Sequence, residues 1–307
     1  MAASQIRPGR DVTFGVVFAL LAAIGFSAKA ILVKLAYQDA VDAVTLLALR
    51  MAFSVPFFIF AAWWVNRRQA EPLTRRDWGS VLVLGLLGYY LSSFLDFLGL
   101  QTISAGLERL ILFLYPTMTV LLSALVQRHG IGRKVWLAML LSYAGIVLVF
   151  LHDAGRGGNG MAWGAALVFA STLSYSVYLV GASHAIARIG ATRFTAYAMT
   201  VASAASLLQF GVTHTLTQTA VSLRVIELSI AMAILSTVLP VFLLGYAIRR
   251  IGSGSASLIG SVGPVSTIFM AHVILGETVS ALQIAGSALV LLGVLMVSFS
   301  SKRADLP

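Results

Sequence analysis

Long apolar runs constrain the fold more than any other feature of this sequence. They follow one another almost from end to end, so that 59% of the 307 residues are apolar and only 10% are charged. A soluble domain has about 45–50% apolar and about 25% charged residues. A membrane-spanning helix needs roughly 20 apolar residues, and lipid requires that its backbone groups bond within the segment. The sequence shows no alternation typical of barrel strands. We therefore predict an all-α integral membrane protein.

Short polar breaks divide the chain into ten predicted spans. The predicted spans are residues 12–35, 41–65, 78–101, 104–127, 134–152, 161–183, 193–213, 225–247, 254–275 and 281–300. Basic residues such as Arg67 and Arg76 concentrate in every second connection, whereas the other connections hold only Lys34, Arg156 and Arg224. The positive-inside rule then places both termini in the cytoplasm, with the chain in the cytoplasmic (inner) membrane.

The basic residues give the chain a formal net charge of +10. In a soluble protein this charge would suggest a nucleic acid partner, but here cytoplasmic loops account for it. The expected partners are therefore the lipid bilayer and a small-molecule substrate, and not nucleic acid. The chain has no cysteine, which excludes disulfides and thiolate metal sites.

The N-terminus resembles a secretory signal in part, because Arg7 and Arg10 precede an apolar run and Ala28–Ala30 has a small-x-small pattern. The apolar run of residues 12–35 is too long for a signal peptide, and Asp11 is a suitable N-cap. We expect an uncleaved first helix.

The sequence contains an internal repeat. The stretches Gly106–Val149 and Gly254–Val297 align without a gap at an offset of 148 residues. The superposed pairs include Leu110 and Leu258, Pro116 and Pro264, Thr119 and Thr267, and Gly145 and Gly293. An offset of 149 residues superposes Ser27 on Ser176. We therefore divide the chain into a first five-helix repeat, 1–152, and a second, 153–307. Because five is odd, the repeats are predicted to be inverted, as in many secondary transporters.

Several motifs resemble the ten-helix EamA branch of the drug/metabolite transporter superfamily. They are Leu112-Phe113-Leu114-Tyr115-Pro116-Thr117 and Leu121-Leu122-Ser123-Ala124-Leu125 in the first half, and Ser255-Ala256-Ser257-Leu258-Ile259, Gly263-Pro264, Leu275-Gly276-Glu277-Thr278, Gln283-Ile284-Ala285-Gly286 and Gly293-Val294 in the second. Arg50 sits where this family usually has an arginine in span two. The chain departs from the family at His129, where a glutamate like Glu277 is common, and at Glu108-Arg109, where small residues are usual. The resemblance implies export or exchange of small metabolites.

Five charged residues lie well inside the predicted spans, all in the first repeat: Lys29, Arg50, Asp96, Glu108 and Arg109. Charge within a membrane is expensive and usually functional. Their sum of +1 suits a carboxylate, so Lys29, Arg50, Asp96 and Arg109 are predicted to bind substrate. Asp96 and Glu108 are candidates for proton coupling. The alternatives are that the charges pair internally, for example Arg109 with Asp96, or that Glu108 extends to the outer interface.

Polar residues at helical spacing extend this predicted site. Tyr89, Ser92, Ser93 and Asp96 form one stripe on span three, and Ser171, Ser174, Tyr175 and Tyr178 repeat the spacing on span six. We include Tyr89, Ser93, Tyr115, Ser174 and Tyr178 among the substrate-binding residues. Hydrogen bonding between helices is the alternative role, above all for the serines.

Four prolines lie inside predicted spans, where each removes a backbone hydrogen bond: Pro56, Pro116, Pro240 and Pro264. Pro116 and Pro264 are predicted hinges because the repeat superposes them. Bent helices with a purely structural role are the alternative.

These features together predict a secondary transporter that works by alternating access. The first expectation is export of an amino acid or another carboxylate-bearing solute; uptake of a vitamin or an anionic metabolite is the alternative. An intramembrane enzyme or a sensor is a different class, but no HExxH or GxSxG motif supports it, and no P-loop indicates ATP use. A GxGxxG pattern at residues 155–160 follows a predicted membrane helix rather than a strand, so we discard it. We predict no metal and no cofactor.

Overall fold

The structure is a computed structural model that describes residues 8–67, 72–128, 130–154, 160–214 and 221–304. These residues are helical with short connections, and no strand occurs among them. The helices are α1 (Pro8–Tyr37), α2 (Ala43–Asn66), α3 (Arg75–Gly85), α4 (Ser92–Leu100), α5 (Ala105–Leu112), α6 (Tyr115–Gln127), α7 (Arg133–Ala154), α8 (Met161–Ile189), α9 (Ala191–Thr213), α10 (Leu223–Ala233), α11 (Leu239–Gly260), α12 (Val262–Leu275) and α13 (Ala281–Ala304). Arg7, His129, Arg156 and most of the glycine pattern at 155–160 lie outside the described residues.

Eight helical segments are long and apolar enough to cross a membrane. They are Val12–Tyr37, Ala43–Asn66, Arg75–Leu100, Ala105–Gln127, Arg133–Ala154, Met161–Ile189, Leu223–Gly252 and Leu258–Leu275. Ala281–Val297 is a shorter apolar helix, and α9 is not among the eight. Large apolar side chains such as Trp163 and Val212 are exposed, as a lipid-facing surface requires. An all-helical, multi-pass membrane protein is thus confirmed, while the count of ten spans stays a prediction.

The helix starts explain where the observed bounds differ from the predicted ones. The third predicted span begins earlier, at Arg75, because Thr74 and Asp77 form a capping box. The first helix begins at Pro8, a residue favoured in the first turn, so Asp11 lies inside α1. The prediction that Asp11 caps this helix was therefore wrong.

The helices are interrupted at equivalent places in the two halves. A π-helical segment, Leu86–Leu91, joins α3 to α4, and another, Ile234–Val238, joins α10 to α11. Their first residues are 148 positions apart. The same offset relates the break after α5, at Phe113, to the break after α11, at Ser261. These interruptions lie within predicted spans three, eight, four and nine. Helix α11 runs from span eight into span nine, with non-helical backbone between them at Gly252 (φ 78°, ψ 158°).

The helix ends follow the same relation. Arg128, which ends α6, and Gly276, which ends α12, both adopt the left-handed conformation, with φ of 53° and 69°. They too lie 148 residues apart. Glycine is the residue that most often adopts this conformation at a helix C-terminus, and Gly276 fits that preference. Arg128 reaches the same conformation without being glycine, which indicates that the surrounding fold imposes it.

The contacts between helices of the two halves are also equivalent. Helix α1 packs on α11 and α12, and α8 packs on α4 and α6. Helix α2 packs on α9, and α7 packs on α13. Close contacts repeat within the last pair. A Cβ added at Gly145 would lie 2.5 Å from the carbonyl oxygen of Gly286, and one added at Gly293 would meet the carbonyl oxygen of Ala138.

Two ion pairs at the helix ends also occupy corresponding places. Arg188, at the end of α8, pairs with Asp77, at the start of α3. Arg224, at the start of α10, lies 3.7 Å from Asp39, which follows α1. Arg188 and Asp39 are 149 residues apart, so the acid and the base have exchanged places between the halves.

Candidate functional site

A buried group of three charges joins the first, third and fourth predicted spans. The Lys29 ammonium lies 2.5 Å from Asp96 Oδ2 and 3.1 Å from Glu108 Oε1. The side chain of Lys29 is 15% exposed, whereas those of Asp96 and Glu108 are 2% and 0% exposed. One cation therefore serves two carboxylates, which leaves the group with a formal charge of −1.

Short helices and a tight turn bring these residues together. Asp96 lies on α4, which follows the π-helical segment, and Glu108 lies on α5, only a short connection later. Ser104 caps α5 by accepting a hydrogen bond of 3.1 Å from the backbone N–H of Leu107. Lys29 reaches both carboxylates from α1. The prediction that Glu108 could extend to the outer interface was wrong, because its side chain is fully buried.

Arg50 on α2 approaches this group from another side. Its Nε donates a 2.9 Å hydrogen bond to Thr237 Oγ1, in the π-helical segment of the second half. Its guanidinium carbon lies 5.5 Å from the centre of the Phe97 ring, next in sequence to Asp96. The Arg50 side chain is buried, yet its Nη1 has no hydrogen-bond partner among the described residues.

Arg109 on α5 extends toward the second half. A Cβ added at Gly263 would lie 2.6 Å from Arg109 Nη2 and 3.4 Å from Ser27 Oγ, so the guanidinium packs directly against the backbone of α12. Arg109 Nε is buried without a hydrogen-bond partner in the part of the chain that the structure describes. The suggested pair of Arg109 with Asp96 is not formed; Asp96 pairs with Lys29 through Oδ2 instead.

The site therefore contains donors and acceptors that lack partners. Within the described ranges these include Arg50 Nη1 and Arg109 Nε on the donor side, and Asp96 Oδ1 and Glu108 Oε2 on the acceptor side. Buried polar atoms are nearly always paired, and an unpaired buried charge is strongly destabilising. The two guanidiniums also have no carboxylate within 4.0 Å among the described residues. Such an arrangement is suited to a ligand that brings an anion.

Tyrosines form a second part of the candidate site, beside α5. Tyr89 and Tyr178 are linked by a 2.8 Å hydrogen bond between their hydroxyls, and their ring centres are 5.0 Å apart. The Tyr175 ring lies 5.4 Å from that of Tyr178 and 5.7 Å from that of Tyr115. The structure thus brings Tyr89, Tyr115 and Tyr178 together. Tyr175, which we left out of the predicted site, lies between two of them, and its place in the polar stripe of span six was the available signal.

The serines divide between the two roles considered from sequence. Ser174 donates a 2.8 Å hydrogen bond to the carbonyl oxygen of Leu87, and Ser171 donates one of 2.7 Å to that of Ser92. Both contacts join α8 to span three, which favours the interhelical alternative. Ser93 is partly exposed, one helical turn before Asp96.

The predicted hinge prolines lie directly after the breaks in their spans. Pro116 is the second residue of α6, and Pro264 is the third residue of α12. Hydroxyl contacts at the breaks correspond as well: Ser27 donates to the carbonyl oxygen of Gly263 at 2.9 Å, and Ser176 donates to that of Tyr115 at 3.3 Å. Sequence reasoning missed Gly263, which the Gly-Pro pattern alone did not connect with Arg109.

Comparison with known proteins adds to this picture. The model of the EamA-like transporter family matches the chain twice, over residues 13–151 and 162–299. The uncharacterized transporter YcbK of Bacillus subtilis is 29% identical over 290 residues, which cover 93% of each chain. The uncharacterized inner membrane transporter YicL of Salmonella typhimurium is 26% identical over 233 residues, 75% of this chain and 76% of that one.

A solved crystal structure has the same fold. It superposes with a TM-score of 0.66 at 20% identity, and the match covers 95% of this chain and 99% of that one. At this identity the likeness concerns the fold alone.

Proposed function

The chain belongs to the EamA-like transporter family, and we propose that it moves a small, carboxylate-bearing organic solute across the cytoplasmic membrane. An amino acid is the first such solute that we consider, and export is the proposed direction. Relatives along nearly the whole chain are also named transporters. Members of this family are transporters rather than enzymes, which argues against an intramembrane enzyme.

Two arginines, the buried Arg50 and the partly exposed Arg109, support an anionic group on the solute. Arg50 and Arg109 each have a buried nitrogen without a hydrogen-bond partner in the described chain, while Lys29 already serves both carboxylates. A carboxylate accepts hydrogen bonds from guanidinium in a planar, often bidentate geometry. A solute of this kind would supply an acceptor to the two arginine nitrogens that the described fold leaves without a partner.

The correspondence between the halves supports ten spans in two inverted repeats and alternating access between them. The family model matches each half once, and the helix breaks, left-handed helix ends and interhelical contacts recur at offsets of 148 or 149 residues. If the halves exchanged conformations, an opening on one side of the membrane would become an opening on the other. Under this proposal both termini lie in the cytoplasm.

Uptake of a vitamin or another anionic metabolite is the second candidate. The observation that favours it is the charge of the whole cluster, +1 from three cations and two carboxylates, which suits an anion without an amine. Exchange experiments distinguish the two, since only the first candidate requires recognition of amino acids.

The test is a metabolite screen on proteoliposomes, in which vesicles loaded with unlabelled solute are compared with empty ones. We expect labelled carboxylates, amino acids first, to enter loaded vesicles faster through exchange. Arg50→Gln and Arg109→Gln should each reduce this exchange by about a hundredfold, the effect of removing one partner of a buried charged hydrogen bond. Arg109→Gln should leave the melting temperature near that of the parent, because Arg109 Nε has no hydrogen-bond partner in the described chain. Arg50→Gln should lower it no more than the control below, because it loses one hydrogen bond, to Thr237.

Arg193→Gln is the matched control. Arg193 is also buried, but it donates a 2.7 Å hydrogen bond to Asn66, about 24 Å along α2 from Arg50. Its loss should lower the melting temperature and leave exchange per folded molecule unchanged. If Arg50→Gln and Arg109→Gln behave like this control, the arginines are structural and the proposed site is wrong.

Proton coupling through Asp96 or Glu108 is a separate part of the proposal. Asp96→Asn should abolish the pH dependence of net transport while exchange persists, because exchange needs no net proton movement. An unchanged pH profile in both Asp96→Asn and Glu108→Gln would contradict it.

A further inference from the structure

The start of α5 is held by a carboxylate from the other half of the chain. Glu277, in the turn between α12 and α13, accepts a 2.9 Å hydrogen bond from the backbone N–H of Ala105 at Oε1 and a weaker one of 3.4 Å from Gly106 at Oε2. The first N–H groups of a helix have no partner within the helix, and its N-terminus favours negative charge. Glu277 thus satisfies both requirements from outside.

Helix α5 is short and separated from its neighbours at both ends. It contains eight residues, follows a turn that ends at Ser104, and is divided from α6 at Phe113. Within it lie Glu108 and Arg109, two of the five charges in the candidate site. Any movement of the first turn of α5 therefore moves both charges relative to Lys29.

The turn that carries Glu277 is itself well fixed. Gly276 takes the left-handed conformation that ends α12, and His272 Nδ1 lies 2.9 Å from the backbone oxygen of Glu277. Gln283, on α13, packs against the other side of the contact, since a Cβ at Gly106 would meet its side-chain nitrogen. The second half therefore presents a fixed acceptor to the start of a short helix of the first half.

We propose that Glu277 is a positioning residue, which holds the first turn of α5 so that Glu108 and Arg109 stay in the site and the outer face stays closed. The inference rests on the proposed function, because it assigns the outer face from the proposed topology. Glu277 lies outside the candidate site, and through it the second half fixes the positions of Glu108 and Arg109 in the first half.

The sequence makes this contact one-sided. The residue 148 positions before Glu277 is His129, so the first half offers no carboxylate at the corresponding position. Other charged groups around the start of α5 are Lys34, His272 and Asp153, which pairs with His152. Asp153 Oδ2 accepts a 3.1 Å hydrogen bond from Ser104, and the charges of Glu277 and Glu108 both act on Lys34. Glu277 and His272 lie on α12 and the turn after it, whereas Asp153 and His152 lie on α7 and Lys34 lies on α1.

The experiment measures the opening of the outer face through the labelling of one introduced cysteine. Because the chain has no cysteine of its own, any label reports on that position. Ala105 is fully buried, so Ala105→Cys should react slowly with a membrane-impermeant maleimide added from outside. Adding Glu277→Gln removes the charge and replaces one of the two acceptor oxygens with an NH2 group, and should accelerate labelling about tenfold. Glu277→Asp, which keeps the carboxylate, should restore most of the protection.

Two controls separate positioning from general loosening. Asp153→Asn removes a carboxylate beside the same helix start that is carried by α7, the helix of the fifth predicted span, and it should change labelling less than twofold. Ile189→Cys, buried at the end of α8 on the proposed cytoplasmic side, should label in inverted vesicles at the same rate with or without Glu277→Gln. Equal labelling of Ala105→Cys in the parent and Glu277→Gln, or a parallel rise at Ile189→Cys, would overturn the proposal. Neither result depends on which solute is carried, so this test can fail independently of the proposed solute.

Discussion

In the first half of the chain five charged side chains lie well inside the predicted spans, whereas the positions that align with them in the second half are uncharged. Glu108 and Arg109 correspond to Ala256 and Ser257, and Lys29 corresponds to Tyr178. The backbone does not show this difference. Breaks, π-helical segments and left-handed helix ends recur in both halves at nearly the same offset.

The comparison separates two requirements on the sequence. Backbone geometry depends on a few helix-breaking positions such as Pro116 and Pro264, and both halves retain it. Charge inside a membrane is destabilising unless it is paired or functional. A second set of charged residues in the other half would therefore cost stability, and only the first half carries one. Mutations at corresponding positions should therefore change stability equally when they alter the close backbone contacts. They should change it unequally when they remove a charged residue in the first half and its uncharged counterpart in the second.

The largest expected difference is at Lys29 and its counterpart Tyr178. Lys29→Met leaves Asp96 and Glu108 buried without a cation and should lower the free energy of unfolding by about 3–5 kcal/mol. Tyr178→Phe removes one hydrogen bond, to Tyr89, and should cost about 1 kcal/mol. Denaturation in detergent measures both. Neutralising the carboxylates as well, with Asp96→Asn and Glu108→Gln, should recover stability without recovering transport. Equal losses for the two single variants would break the comparison.

The next effect concerns the backbone contacts, where the halves should agree. Gly145→Ala and Gly293→Ala each push a methyl group against a carbonyl oxygen across the contact between α7 and α13. Overpacking of this kind costs about 1–3 kcal/mol, and we expect the two losses to match within about 0.5 kcal/mol. Melting temperatures in the same detergent provide the measurement. A large loss at one glycine and none at the other would show that the halves do not pack equivalently.

The smallest effect concerns the ion pairs with exchanged polarity. Double-mutant cycles for Asp77 with Arg188 and for Asp39 with Arg224 should both show attraction, of about 0.2–1 kcal/mol because the arginines are half-exposed. The first should be stronger, since Asp77 is buried. Exchanging the charges of the second pair, with Asp39→Arg and Arg224→Asp, should preserve its coupling. A repulsive coupling energy in either cycle would show that the two ion pairs are not equivalent contacts.

Much of the fold could be predicted from sequence because its causes are local. Apolar runs near 20 residues require helices in lipid, and the superposed prolines mark the places where two spans are interrupted. The π-helical segments were not predicted, because no single residue type specifies them and packing between α8 and span three stabilises the first of them.

The site was less predictable because pairing depends on helices that are distant in sequence. The apolar sequence around them was enough to identify Lys29, Asp96 and Glu108 as candidates. The sequence does not show that Lys29 forms ion pairs with both carboxylates, or that Arg50 donates a hydrogen bond to Thr237, which lies 187 residues away. Glu108 follows the predicted start of its span closely, which suggested exposure. Its burial follows from the contacts of Ser104 and Glu277, and those are tertiary.

The most direct test of the central claim, two halves that cross the membrane in opposite directions, uses corresponding positions. Arg75 and Leu223 lie 148 residues apart at the starts of α3 and α10, and both are exposed. Arg75→Cys and Leu223→Cys are introduced singly and labelled with an impermeant maleimide in intact cells and in inverted vesicles. The account predicts that Arg75→Cys labels only in inverted vesicles and Leu223→Cys only in intact cells. Labelling of both from the same side would contradict the inverted repeat and the alternating access built on it.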